Sequence, residues 1–466
     1  MMQTKIAVTI IFLSILLSTC SFDPISMPED DNSDIIFNIG EEKYIPVNPV
    51  WGGSAWNFNN PTDIFISQDD YIFVADSGNA RIVVMAKTGE IVESDNFGND
   101  FTDIGNIPNV DNPEVPINPV GLCVDSKLNV FIVDNSKNIY VWNQYINNIR
   151  NMYPEGTDSI ATEITYINYD TNDEKVLTPS EFYLSEIYEY EGYVIKDVQF
   201  ISDPAMLDSI YKPHIFYTEF NEEGAEFVSV AAAPFGDNQL YVCDRVQQRI
   251  ASIYTGRSSY IKLRNGNTLW QHRGYFDYNV VTAGTGAGTV NNPKGITVDQ
   301  SGNIYYTQLG ENFSFHKITY VSSVGQWVSS FALDKNEIMD LYRFDQLYDV
   351  ATSSDGDIFV VDKGTNEVQV YDNSGSFIRK AGTRFVQIDT TLYDTTFIQI
   401  DSTFIDTVIT EKDTIITTEH SDVLMDPKSI AVDEEMVYIV DSGNNRILRY
   451  QLSTGIDIDL DEELGQ

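Results

Sequence analysis

The sequence predicts an all-β chain built from one short unit repeated around a common core, and three observations predict it. A turn sentence recurs as Asp76-Ser-Gly-Asn-Ala-Arg81-Ile, Asp244-Arg-Val-Gln-Gln-Arg249-Ile and Asp441-Ser-Gly-Asn-Asn-Arg446-Ile. Each copy follows a stretch in which apolar and polar residues alternate, the period of a half-buried strand. Gly, Asn and Asp punctuate these stretches at the short, regular spacing of antiparallel hairpins. One repeat cannot bury its own face, so the fold must come from stacking copies.

Taking the turn Asp as anchor, further copies appear at Asp134 and Asp362, and a degenerate one at Gln308, which makes six. Pro61, Pro119 and Pro293 each stand fifteen residues before their anchor, and Pro427 one residue closer to Asp441. The clearest first half reads Asn292-Pro-Lys294-Gly-Ile-Thr-Val-Asp299, followed by a Gly302-Asn303 turn and Ile304-Tyr-Tyr306. These residues resemble the NHL repeat, whose copies each form a four-stranded blade. The resemblance spans roughly residues 45 to 455 and implies a six-bladed β-propeller with two inserted segments, at about 146–226 and 385–420. A propeller removes exposed sheet edges radially, so a chain of this size can form one all-β domain. The last copy runs out after Tyr450, whereas Tyr44 to Trp51 reads as a strand without inner partners; this N-terminal piece is expected to complete the sixth blade.

Residues 1–19 read as a secretory signal, because Ile6 to Leu17 is apolar but shorter than the ~20 residues a membrane span needs. The run ends in Leu17-Ser18-Thr19-Cys20, which resembles a bacterial lipobox and implies acylation of Cys20, anchorage to the membrane and an outer-membrane address, periplasmic or surface-exposed. Residues 20–34 form an acidic, proline-bearing linker, residues 35–456 the repeat domain and 457–466 an acidic tail.

The chain of 466 residues carries 70 acidic and 28 basic side chains, a formal charge of −42. That excess argues against nucleic acid and anionic membrane surfaces as partners. It leaves weak Ca²⁺ binding open, although no complete Ca²⁺ loop spacing occurs. Cys123 and Cys243 align with apolar strand positions of other copies, which favours buried free thiols over a disulfide. His214, His272, His316 and His420 share no repeat position, so a multi-histidine zinc site is not expected and no metal-ligating residue is singled out. No nucleophile elbow or phosphate loop occurs, and no catalytic residue stands out. The turn Asp residues cap their own turns. Arg81, Arg249 and Arg446 pair with those carboxylates or, in an acidic ring, bind an anionic ligand group.

The first insertion is rich in aromatics, among them Tyr183, Tyr188, Tyr190, Tyr193, Phe216, Tyr217 and Phe220, and conceals an outer strand of blade two. The second alternates Ile, Phe and Val with Thr and Asp, as two or three strands of an arm would. The leading functional reading is a lipid-anchored, non-catalytic propeller of the cell envelope that binds protein or glycan. The alternatives are a metal-dependent hydrolase or lyase of the propeller type, lactonase-like, and a sensor or scaffold module.

Overall fold

The computed structural model describes residues 42–94, 101–105, 107–110, 112–234, 238–310, 312–331, 336–382, 384–386, 392–399, 405–412, 420–422, 424–434 and 436–453. The expected signal peptide, Cys20, the linker and the acidic tail lie outside the described residues. No described helix is long and apolar enough to cross a membrane.

The fold is a β-propeller. Six antiparallel sheets follow one another along the chain, each opening with an inner strand. Those inner strands are Pro61–Ile66, Gly121–Val124, Phe227–Ala232, Pro293–Val298, Leu347–Thr352 and Pro427–Asp433. Each lies beside the next, and the sixth returns to the first, so they ring a central channel. The second strands, Tyr71–Asp76, Asn129–Val133, Gln239–Asp244, Ile304–Gln308, Ile358–Asp362 and Met436–Asp441, end at the anchor residues read from the repeats.

Burial explains why these strands carry long apolar runs. The second strands are buried along nearly their whole length, because each blade is covered on both faces by its neighbours. The apolar core is accordingly divided into six seams, one per pair of adjacent blades. Cys123 and Cys243 are buried free thiols within this packing.

The sixth blade is closed by the other end of the chain. Lys43–Gly52 pairs antiparallel with Arg446–Ser453, Tyr44 opposite Leu452 and Trp51 opposite Ile447. Trp51 is fully buried, its ring 5.7 Å from that of Tyr438, and the Arg449 guanidinium lies 4.4 Å from the Trp51 ring centroid. Arg449 Nη2 donates to the Pro49 carbonyl at 3.0 Å, so the clasp is fixed by packing and by a charge-assisted bond together.

The first interruption falls between the third strand of blade two, Asn138–Asn143, and its outer strand, His214–Thr218. It opens with a helix, Gln144–Met152, capped by Asn143, whose side chain accepts from Ile146 N at 2.8 Å. Ile146 and Ile149 on one face pack with Ile160, Ile210 and Tyr211 and with Ile261, Leu263 and Leu269. The last three come from an elongated hairpin of blade three, Arg249–Lys262 and Thr268–Val281. A three-stranded sheet, Ile160–Asn168, Asp173–Leu177 and Val194–Ile201, holds a small core around Ile164, Tyr166 and Phe182. The aromatics of the insertion divide: Tyr193, Phe216 and Tyr217 are buried, whereas Tyr183, Tyr190 and Phe220 are exposed. Within the second interruption Leu392–Gln399 pairs with Ile405–Lys412, and Arg384–Val386 with His420–Asp422.

Candidate functional site in the central channel

The repeated turns have a structural occupation. In blade one Asp76 is fully buried; it accepts from Asn59 N at 2.7 Å, Asn79 Nδ2 at 2.8 Å and Arg81 Nε at 2.7 Å. Blade six repeats this, Asp441 accepting from Met425 N at 2.7 Å, Asn444 Nδ2 at 2.8 Å and Arg446 Nε at 2.6 Å. In blade three Asp244 accepts from Arg249 Nε at 3.1 Å, and Arg249 also meets Glu219. Gln308 supplies the missing carboxylate's backbone bond in blade four, accepting from Asn291 N at 2.8 Å. Arg81, Arg249 and Arg446 are therefore each engaged by the carboxylate of their own blade, and the structure does not bring the three together.

In three blades the residue that closes the turn is left-handed and its side chain reaches the next blade. Asn445 (φ 51°) accepts from Asn60 N at 2.6 Å, and Asn366 (φ 55°) accepts from Asp426 N at 3.0 Å. Gln248 (φ 50°) accepts from Asn292 N at 2.5 Å. The turn motif thus caps its hairpin and latches consecutive blades.

A different position faces the channel. A β-bulge interrupts the start of the inner strand in five of the six blades, immediately after the repeat Pro or its equivalent. Bulges re-aim side chains, and here they turn one residue per blade inward. Around the ring this position holds Asp63, Gly121, Ser229, Gly295, Asp349 and Ser429. The repeat motif has Gly there, and blades one and five depart from it with a carboxylate each.

These two carboxylates converge on the residue between them. Ser429 Oγ lies 2.6 Å from Asp63 Oδ1 and 2.7 Å from Asp349 Oδ2. Backbone donors complete the group: Leu122 N to Asp63 Oδ2 at 2.7 Å, Ile64 N to Asp63 Oδ1 at 2.9 Å and Ile430 N to Asp349 Oδ2 at 3.0 Å. Gly295 makes the space, since a Cβ there would stand 2.6 Å from Asp349 Oδ1. A serine hydroxyl has one proton to donate. Both short contacts can be hydrogen bonds only if one of the two carboxyls carries a proton and donates it to Ser429, which in turn donates to the other.

Electrostatics point the same way. Burial raises the pKa of both aspartates, and the charge of Asp63 adds to the rise of Asp349; bonds from Ser429, Leu122 and Ile64 oppose the rise at Asp63, and bonds from Ser429, Ile430 and Val350 oppose it at Asp349. Both carboxyls are thus pushed toward the protonated form, as the sharing of one proton through Ser429 requires.

Two cavities meet at Asp63, Ser229 and Asp349. One, of about 360 Å³, opens among Asp299, Gln300, Asp433 and Glu434; the other, of about 270 Å³, opens among Asn60, Ser77, Asn135, Lys294, Tyr348 and Lys428. The channel thus has an acidic mouth and a basic one, the second at the end that carries the repeated turns.

His316 and His214 stand apart from it. His316 is buried against Tyr306, ring centroids 4.7 Å apart, accepts from Gly288 N at 3.0 Å and is held down to about 4 by burial. Burial also lowers His214, in the outer strand of blade two. Among the described residues no three His, Cys, Asp or Glu side chains gather in a metal-holding cluster.

No protein-family model and no curated protein sequence matches the chain. Solved structures similar to it include a catalytically inactive virginiamycin B lyase from Staphylococcus aureus with quinupristin, at 12% identity and TM-score 0.39, covering 89% of this chain and 99% of that one. A gluconolactonase from Xanthomonas campestris matches at 8% identity and TM-score 0.39, over 89% of this chain and 98% of its own. A Bacteroides thetaiotaomicron protein of unknown function matches at 11% identity and TM-score 0.41, over 88% and 76%. The activities named belong to those proteins.

Proposed function

We propose that the protein is a propeller enzyme of the hydrolase or lyase class, in which Asp349 and Asp63 act as acid and base in the central channel. The observation that carries this is the single Ser429 hydroxyl between two carboxyls, an arrangement that holds one carboxylic acid and one carboxylate at the same place. Hydrolysis and elimination both need a proton taken at one atom and given at another, and a pair of carboxyls with separated affinities supplies both at neutral pH. The repeats are of NHL type in this reading, on the strength of the ordered match at Pro293 to Asp299. The chain is held at the outer membrane through lipid on Cys20, and release of a Cys20→Ala variant from membranes is the expected result.

The test is turnover by purified protein of a panel of lactones, esters and acidic glycans. Asp63→Asn and Asp349→Asn should each lower kcat by roughly 10²–10⁴. Wild-type protein inert toward the whole panel, or variants as active as wild type, would overturn the acid–base assignment. A second reading, binding of protein or glycan without chemistry, draws on the exposed Tyr183 and Tyr190 of the insertion, since such rings stack on apolar ligand faces. It predicts retention on immobilised glycan or partner that Asp63→Asn leaves intact and Tyr190→Ala removes.

A further inference from the structure

In a chain with 70 acidic residues, the basic mouth of the channel is the exception, and its lysines are not ordinary surface cations. Lys294 and Tyr348 occupy the position just before the channel-facing residue in blades four and five, and Lys428 holds it in blade six. The Lys294 ammonium lies 4.6 Å from the centre of the Tyr348 ring, and the Lys363 ammonium lies the same distance from it. Lys363 Nζ also donates to the Tyr348 hydroxyl at 3.4 Å. Lys428 and Lys363 share the carboxylate of Asp426, at 3.5 and 2.6 Å, and Lys428 Nζ donates to Asn60 Oδ1 at 2.7 Å. Lys294 has no carboxylate within ion-pair distance among the described residues, although it is largely surrounded by protein.

We propose that this mouth is an oxyanion-binding subsite, in which Lys294 and Lys428, flanking Tyr348, hold a carboxylate, phosphate or sulfate of the substrate next to Asp63 and Asp349. The inference rests on the channel as the working site and adds the substrate class, a molecule with an anionic group close to the reacting bond. Three features carry it. The cavity of about 270 Å³ places Lys294, Lys428 and Tyr348 on the same walls as both aspartates. Besides the Tyr348 phenol, the charges that act on Lys294 are those of Arg245 and Lys363, each paired with a carboxylate of its own, so an entering anion finds in Lys294 a cation that no carboxylate holds. Tyr348 records that field: against the upward push of burial, Lys294 and Lys363 hold its phenol below the ordinary tyrosine range. Anions are drawn to this end and repelled from the other, where Asp299, Asp433 and Glu434 stand.

Calorimetry with inorganic phosphate and with glucuronate, and glucose as the neutral control, tests the subsite on the full chain. Both anions should bind, glucose should not, and binding should weaken as salt rises. Lys294→Met should weaken it at least tenfold and Lys294→Arg should restore it. A second readout is the ¹³Cζ tyrosine resonance absent from Tyr348→Phe. It should titrate below the usual range in wild type and move up on adding either anion or on Lys294→Met, because each change removes net positive charge beside the phenol. Binding of phosphate but not glucuronate would restrict the group to phosphate or sulfate, the reverse to carboxylate. Equal affinity for glucose, or anion binding unchanged in Lys294→Met, would overturn the proposal. If wild-type protein binds glucuronate yet turns over no substrate of the panel, the subsite stands and the acid–base reading falls.

Discussion

Two positions of the blade, one at the end of the second strand and one at the start of the first, behave differently around the ring. The turn position carries a buried Asp in blades one, three, five and six, and Gln308 takes over its backbone bond in blade four. The channel position changes from blade to blade, as Asp63, Gly121, Ser229, Gly295, Asp349 and Ser429. The first does the same capping work in these five blades, because each hairpin needs its cap. The second meets no such shared demand and is where the blades became individual. In a repeat protein the recurring ionisable residue marks construction, and the ionisable residue that breaks the repeat marks the site.

The largest effect should come from the recurring class. Asp441 is fully buried, and its partner Arg446 is mostly covered. Removing one member of such a pair leaves the other uncompensated, so Asp441→Ala should cost about 3–5 kcal/mol in a denaturant titration. The same variant should leave anion binding at the channel unchanged under native conditions. A loss of less than about 1 kcal/mol would reduce the turn pair to the worth of a surface ion pair and erase the contrast drawn here.

The channel class should behave in the opposite sense with pH. Asp63 and Asp349 have folded pKa values above the ordinary 3.8, so the folded protein binds more protons than the unfolded chain once pH exceeds that value. Stability contributed by this pair is then full below pH 3.8 and declines as pH rises toward the raised folded values. Each unit of elevation removes about 1.4 kcal/mol. Asp349→Asn takes out one raised carboxyl, and its stability should fall less steeply from acid to neutral pH than that of wild type. Parallel slopes would show that folding does not raise Asp349 and that the pair shares no proton.

How far the sequence discloses these features follows from the same distinction. The anchors Asp76, Asp244 and Asp441 are legible because copies reinforce one another, and even Gln308 falls into register through its upstream strands. The clasp at Tyr44 to Trp51 is legible because an orphan strand and an incomplete last blade are complementary lacks. The outer strand His214–Thr218 is harder to see, since an inserted helix and sheet separate it from its blade. Asp63 and Asp349 escape a reading organised by recurrence, because at one blade each they look like drift from the Gly of the motif. The signal was present nonetheless, as an ionisable residue standing where Pro-x-Gly-Ile demands Gly. That Ser429 joins them could not be read from spacing, because it depends on which blades the closed ring makes neighbours.

The smallest effect concerns the latches between blades. Asn445 holds a left-handed conformation and accepts the amide of Asn60, which is itself left-handed (φ 51°) just before Pro61. The seam between blades five and six repeats the geometry with Asn366 and Asp426, and that between three and four with Gln248 and Asn292. Blade one already carries the truncated form: Ala80 adopts φ 52° at the equivalent place. An alanine is therefore compatible with this turn, and Asn445→Ala removes the latch without reshaping the hairpin. The loss should be that of one exposed hydrogen bond, about 0.5–1.5 kcal/mol, read from the unfolding midpoint. Hydrogen exchange at Asn60 should rise with it, while exchange within blades three and four stays as in wild type. A loss as large as that of Asp441→Ala would mean that the seam between blades six and one depends on its latch rather than on the clasp and the apolar packing around Trp51.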